Sequence, residues 1–281
     1  MQARDYTGPA DVRLMQELAQ RLWTQDSRWH IGDLAHGRFQ HLGRERDWPT
    51  RLWFADGRIV AWGWIELPDH LSFQVDPAHP GLADEVLAWF AGVAPGARTA
   101  AVLPGVEMAA LAHDGYHRDG DGPFFVHQAR DLEALPEPAA PAGFRLRSAP
   151  DAERRAAVHA AAFAPSRVTA DSYRTVMAAW PYRPDLDWVA ETPDGRFASY
   201  ATLWLDEEHG AGLIEPVGTD PAFRRLGLAR AVCLAALRAL RQAGATRVYV
   251  GPRGDADYPV PARFYRSLGF TDGPRTYSMR R

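Results

Sequence analysis

The chain has 281 residues, with 46% hydrophobic content and a formal net charge of -3, which leaves room for one large domain or two of ordinary size. No apolar run approaches the roughly 20 residues needed to span a membrane, and the N-terminus, with Asp5 and Asp11, is no signal peptide, so a soluble cytoplasmic protein is expected. A single cysteine, Cys233, excludes internal disulfides and cysteine-rich metal sites; in a helical run it reads as a small core residue, and no metal site is expected.

In chain order, a helix is expected near Ala10 to Trp23. A hairpin follows, with its turn at Asp56-Gly57 between two runs rich in β-branched and aromatic residues. The stretch 135–143, Leu-Pro-Glu-Pro-Ala-Ala-Pro-Ala-Gly, lacks apolar periodicity and reads as an extended linker. Beyond it the same order returns: a helix near Asp151 to Phe163, then a hairpin turning at Asp194-Gly195. Asp76-Pro77-Ala78 is matched by Asp220-Pro221-Ala222, the run from Gly96 by the run from Gly244, and Gly115-Tyr116 by Gly269-Phe270. Ordered matches with small length changes indicate two copies of one mixed α/β unit, divided as 1–134, linker 135–143 and 144–281.

Charge differs between the copies. All basic residues are arginines, a bias expected of GC-rich coding; residues 1–140 carry 12 of them against 20 acids, and residues 141–281 carry 20 against 15. The basic half lacks any basic run or nucleic-acid motif, so an anionic nucleotide cofactor accounts for its arginines better than a polymer does.

That half holds Leu213 to Gly244, read as strand, tight loop and helix. Apolar residues at Leu228, Val232, Ala235 and Ala239 give the helical period, and Gly244 supplies the stop. The preceding loop carries Arg224, Arg225 and Gly227, and helix-start N–H groups beside two guanidinium groups make a cradle for a pyrophosphate. The run Thr219-x-Pro221-x-x-Arg224-Arg225-x-Gly227-x-Ala229 resembles the acetyl-CoA signature of the GCN5-related N-acetyltransferases (GNAT). The resemblance implies a mixed α+β fold of two tandem units, each a central sheet flanked by helices, and acetyl-CoA as cosubstrate. It further implies that Val217, Gly218 and Thr219 pair with pantetheine, and that Arg224, Arg225, Leu226, Gly227, Leu228, Ala229 and Arg230 hold the pyrophosphate. Tyr265, in Phe264-Tyr265-x-x-Leu268-Gly269-Phe270, would protonate the departing thiolate. Tyr258 and Pro261 depart from the family pattern, which often has Asn and Ala there.

The first copy keeps the order but not the chemistry. Its loop shrinks to His79-Pro80-Gly81-Leu82-Ala83 without arginine, and Asp84 and Glu85 open its helix, where carboxylates repel a pyrophosphate. Leu111 stands at the position of Tyr265. This half is read as a degenerate copy that shapes a substrate cleft, as in tandem members of the family.

Acetyl transfer to an amine needs a base, and Glu215 lies on the cofactor strand two residues before Val217, on the same face. Pro216 beside it is expected to mark a bulge. Tyr265, with an ordinary phenol pKa of about 10, would exchange its proton with a thiolate at little cost. The expected acceptor is the primary amine of a small, cationic molecule such as an aminoglycoside or peptide antibiotic, met by Asp255 and Asp257, with Trp180, Tyr182 and Trp204 lining the pocket. Other readings are acetylation of a thiol-precursor amine in the manner of mycothiol synthase, of a protein N-terminus, or a non-catalytic acyl-CoA sensor. Neither nucleic acid nor membrane is an expected partner, and the chain is expected to be a monomer or homodimer.

Overall fold

The computed structural model describes residues 1–120 and 122–281. The first half runs β1 (Gln2–Asp5), α1 (Pro9–Arg21), α2 (Ile31–Phe39), β2 (Thr50–Ala55), β3 (Arg58–Glu66) and β4 (His70–Val75). It continues through α3 (Leu82–Val93), β5 (Thr99–Val102), α4 (Val106–His113), β6 (His117–Arg118) and β7 (Val126–Asp131). The second half repeats the plan with β8 (Arg145–Ser148), α5 (Ala152–Ala162), α6 (Ala170–Ala178), β9 (Asp187–Glu191), β10 (Phe197–Asp206) and β11 (Ala211–Thr219). Then come α7 (Leu228–Gln242), β12 (Arg247–Val250), α8 (Val260–Ser267), β13 (Thr271–Arg275) and β14 (Tyr277–Arg280). Among the described residues no helix is long and apolar enough to cross a membrane.

The expected helices form close to their predicted places: Asp151 caps α5 by accepting from Arg154 N–H, and α7 ends just before Gly244. Both hairpins form, and Asp56 and Gly57 take the paired left-handed conformation (φ 50 and 77) that such a two-residue turn demands. Residues 135–141 have no regular structure.

Two sheets of seven strands result, ordered β1-β2-β3-β4-β5-β14-β6 and β13-β7-β12-β11-β10-β9-β8. Sheet membership does not follow the covalent division at the linker. The last strand before the linker, β7, pairs with β12 in the second sheet, and the C-terminal β14 pairs with β5 in the first. Each half therefore completes the other's sheet. The register is ordinary antiparallel pairing, so these exchanged strands satisfy their backbone groups as a native neighbour would.

Each sheet is covered on both faces. The first packs α3 and α4 on one side and α1 on the other; the second packs α7 on one side and α5 and α6 on the other. Helix α2, which the apolar pattern did not single out, belongs to both: Leu34 sits in the first half's core, and Ala35 packs with Tyr173, Trp204 and Leu213 of the second. His30, its N-cap, reaches the carbonyl of Ala211 on β11 at 3.1 Å. A helix of the first half thus lies over the strand that carries Glu215.

Candidate active site

Strand β11 pairs with β12 only over Ala211–Leu213, and beyond that point the two diverge into a notch. On its other edge β11 stays paired with β10, but the register slips between Ala201/Val217 and Leu203/Ile214, placing an extra residue on β11 at Glu215-Pro216. This is the bulge expected from the proline, whose missing N–H falls where the ladder is already interrupted. Asp220 N–H bonds to Ala198 C=O (3.0 Å). By antiparallel alternation, the N–H and C=O of Thr219 and Val217 then point away from β10 into the notch. Among the described residues no side chain takes them.

In the first half the equivalent groups are partly taken by side chains. Its β4 and β5 pair only over His70–Leu71 and then splay likewise. There the Phe73 carbonyl accepts from the Trp29 indole (3.1 Å), and Val75 N–H donates to the Glu107 carboxylate (3.0 Å). Phe73 and Val75 correspond to Val217 and Thr219. In the first notch the chain's own Trp29 and Glu107 thus take one backbone group each, beside a remaining cavity of about 260 Å³, while among the described residues no side chain takes the counterparts in the second.

At the mouth of the second notch, Arg225 (φ 67) and Gly227 (φ 82) are both left-handed and turn the chain into α7. Arg224, Arg225 and Leu226 are exposed, and Arg230 donates to Ser267 C=O at 2.8 Å. The helix start leaves its first N–H groups toward solvent, an anion site on physical grounds. Two residues grouped with this cradle have another use for their side-chain positions. Leu228 is buried in the core under the sheet, and Gly218 makes room for Tyr200, whose ring a Cβ would meet at 2.6 Å.

Glu215 opens onto a cleft of about 460 Å³ between the halves. Its side chain is 41% accessible and faces this open cleft. Burial, reinforced by Asp33 and opposed by Arg28, pushes its pKa up to about 8. His36 on α2 approaches it at 3.7 Å. Burial first, then the charges of His159, Arg155 and His41, lower the His36 pKa to about 3, so this is a neutral imidazole and not an ion pair. The Glu215 carbonyl accepts from the Trp204 indole at 2.7 Å, which fixes the bulge that aims the carboxyl.

The raised pKa has a consequence for stability. A carboxyl that holds its proton more tightly folded than unfolded contributes stability that is complete below its ordinary pKa of about 4.3 and is lost as pH rises through the folded value. Unliganded protein is therefore expected to lose stability between about pH 5 and 8.5, and Glu215→Gln to lose less over that window. Denaturant titrations of both proteins across the window test this, and parallel curves would remove the effect from Glu215.

Tyr265 lies on α8, buried against Phe264, Phe270 and the α7 side of the sheet. Burial, then Cys233, Glu215 and Tyr200, raise its pKa well above that of a free phenol. Its hydroxyl thus holds its proton more tightly than the free phenol expected from the sequence.

The acceptor residues expected from the sequence do not line this cleft. Trp180 lies elsewhere, stacked under Arg13 at 3.3 Å. Tyr182 donates to Asp187 at 2.9 Å within a buried network with Arg155, Tyr173 and Thr202. Trp204 is wholly buried and holds backbone. Asp255 is spent on Arg253 at 2.7 Å, and Asp257 is exposed in the same loop. The second half alone cannot supply the walls, because α2 and the first sheet occupy that side. The walls come instead from Arg28, Asp33, His36 and Trp64, and from Ser278 and Arg280 on the exchanged strand β14. One signal was present: Asp33 and His36, three residues apart, put two ionisable groups on one face of a short helix whose other residues are largely apolar. Among the described residues no group of three or more His, Cys, Asp or Glu is arranged to hold a metal.

Comparison with known proteins agrees with this architecture. Residues 137–270 match the model of the acetyltransferase (GNAT) family. Two curated relatives are mycothiol acetyltransferases. That of Kineococcus radiotolerans is 32% identical over 67% of this chain and 59% of its own length, and that of Nocardiopsis dassonvillei is 30% identical over 76% of each. The chain thus spans less than two thirds of the first relative. Among solved structures, a GCN5-related N-acetyltransferase from Sphaerobacter thermophilus superposes with TM-score 0.62 at 21% identity, covering 100% of this chain and 95% of that one. A tandem GNAT protein from the clavulanic acid biosynthesis pathway gives 0.64 at 17%, covering 100% and 98%. At these identities the structural likeness concerns the fold.

Proposed function

Because the chain belongs to the GNAT family of acetyltransferases, we propose that it transfers an acetyl group from acetyl-CoA to the primary amine of a small molecule held between its halves. The observation that carries this reading is the open notch of β11, with free backbone groups at Val217 and Thr219, an arginine-bearing helix start at one end and Glu215 facing the cleft at the other. Residues 144–281 provide the cofactor side. Residues 1–134, whose notch has two backbone groups taken by Trp29 and Glu107 and whose loop carries no arginine, provide cleft walls and no second cofactor site.

Acetyl-CoA supplies a thioester whose carbonyl carbon the amine attacks, forming the C–N bond as the C–S bond breaks. Glu215 takes the proton that the ammonium must lose, and a carboxyl with a pKa of about 8 is matched to that task near neutral pH. Tyr265 gives its proton to the thiolate sulfur. The cationic character expected of the acceptor is supported by Glu215 and Asp33, which line the cleft, rather than by Asp255 and Asp257. The names of the two curated relatives favour a second reading, acetylation of an amine on a thiol precursor.

The test is release of free thiol from acetyl-CoA across polyamines, aminoglycosides, peptide antibiotics, amino sugars and amino acids. One class turning over well above the rest is the expected result. Binding of acetyl-CoA with no amine turned over would leave the sensor reading in its place.

A further inference from the structure

Arg28 stands in the loop between α1 and α2 and lines the cleft together with Glu215. Its guanidinium lies over the Trp29 ring at 4.3 Å. Trp29 is itself fixed by its hydrogen bond to Phe73 and by an edge contact with Trp62 at 5.1 Å, so the cation is held in place by a rigid platform. Yet among the described residues no hydrogen bond or ion pair reaches Arg28, and its Nε is buried without a partner.

The acids around it are otherwise engaged. Asp33 accepts from the N–H of His30 at 3.0 Å as part of the α2 capping box, and Asp119 is paired with Arg280 at 2.8 Å. Glu215 faces the same space, with its proton affinity raised by the enclosure. Arg28 is half-buried, its Nε has no partner among the described residues, and its planar fork fits a carboxylate bidentately. The cleft therefore holds carboxyl groups at Glu215 and Asp33 together with a guanidinium at Arg28 that makes no hydrogen bond or ion pair among the described residues.

We propose that the acceptor is an amino acid-like molecule: its amine meets Glu215, and its carboxylate pairs with Arg28. The inference deepens the acetyltransferase reading and rests on it. Acceptors without a carboxylate would leave Arg28 unpaired, so the residue selects by charge, while Glu215 acts on the amine.

The experiment compares linear ω-amino acids of graded chain length with the matching ω-amino carboxamides. Acetyl-CoA-dependent thiol release is measured with the parent protein, Arg28→Gln and Arg28→Lys, and acetyl-CoA binding by calorimetry serves as the check of folding. At the best chain length the parent is expected to prefer the acid over the amide in kcat/KM by roughly 10- to 100-fold, the range of one charge-assisted pair. That ratio should collapse toward one in Arg28→Gln and be partly kept in Arg28→Lys, which retains the charge without the fork. Acids and amides turned over alike by the parent, or a ratio that survives Arg28→Gln, would overturn the inference and leave the acetyltransferase reading standing. Should Arg28→Gln not fold, Arg28→Met takes its place, and a ratio that survives that substitution would likewise overturn the inference. Absence of thiol release with every amine tried would remove the acetyltransferase reading and this inference with it.

Discussion

Tyr265→Phe is expected to slow acetyl transfer by roughly 10²- to 10⁴-fold, the range typical of positioned acid catalysis, while acetyl-CoA affinity survives. The substitution removes one hydroxyl and keeps the ring that packs between Phe264 and Phe270, so the fold should persist; circular dichroism checks it. Glu215→Gln should also slow transfer but respond differently to pH. In the parent, kcat/KM should rise with pH through about 8, as the carboxyl loses its proton and becomes able to accept the amine's. In Glu215→Gln that limb should disappear, leaving a slower reaction partly rescued at high pH, where more acceptor is already neutral. If Glu215 only anchors a cation, the variant weakens acceptor binding without rescue. Parent rates in both variants would end the catalytic assignment.

The second large effect concerns cofactor stoichiometry. Calorimetry should find one acetyl-CoA per chain, and Arg224→Glu combined with Arg225→Glu should weaken it by roughly 100-fold or more, the worth of two charge-assisted contacts turned repulsive. Substitutions at His79, in the first half's short loop, should leave binding unchanged. The asymmetry stands on chemistry at equivalent positions. Helix α3 opens with Asp84 and Glu85 where α7 follows Arg224 and Arg225, and Glu107 fills in the first notch the place that Thr219 N–H leaves open in the second. Two equivalent binding events would contradict both observations.

Much of the cofactor side was legible in the sequence because its signals are local. The turn at Asp56-Gly57, the helix starting near Asp151, the period of α7 and the bulge at Pro216 each follow from residues within a few positions of one another, where backbone sterics and hydrogen-bonding needs decide. The tandem repeat was legible for the same reason, as one set of local signals written twice.

The acceptor side was not legible, because its residues share no local pattern. Arg28, Asp33 and His36, Trp64, Glu215, and Ser278 and Arg280 meet across nearly the whole chain, through pairings that depend on which sheet edges and helix faces are free once the halves have formed. Single residues changed meaning accordingly. Trp204 and Tyr182, aromatic and plausible as pocket walls, went to the interior, where an indole and a phenol can spend their polar hydrogens on Glu215 C=O and Asp187. Thus the sequence by itself determined the two α/β units and the strand, arginine-bearing loop and helix proposed to hold the cofactor. Only the tertiary structure decided the exchange of β7 and β14, the hydrogen bonds of Trp29 and Glu107 to the first notch, and the composition of the cleft, because burial and charge pairing at these places are set by groups brought together from distant parts of the chain.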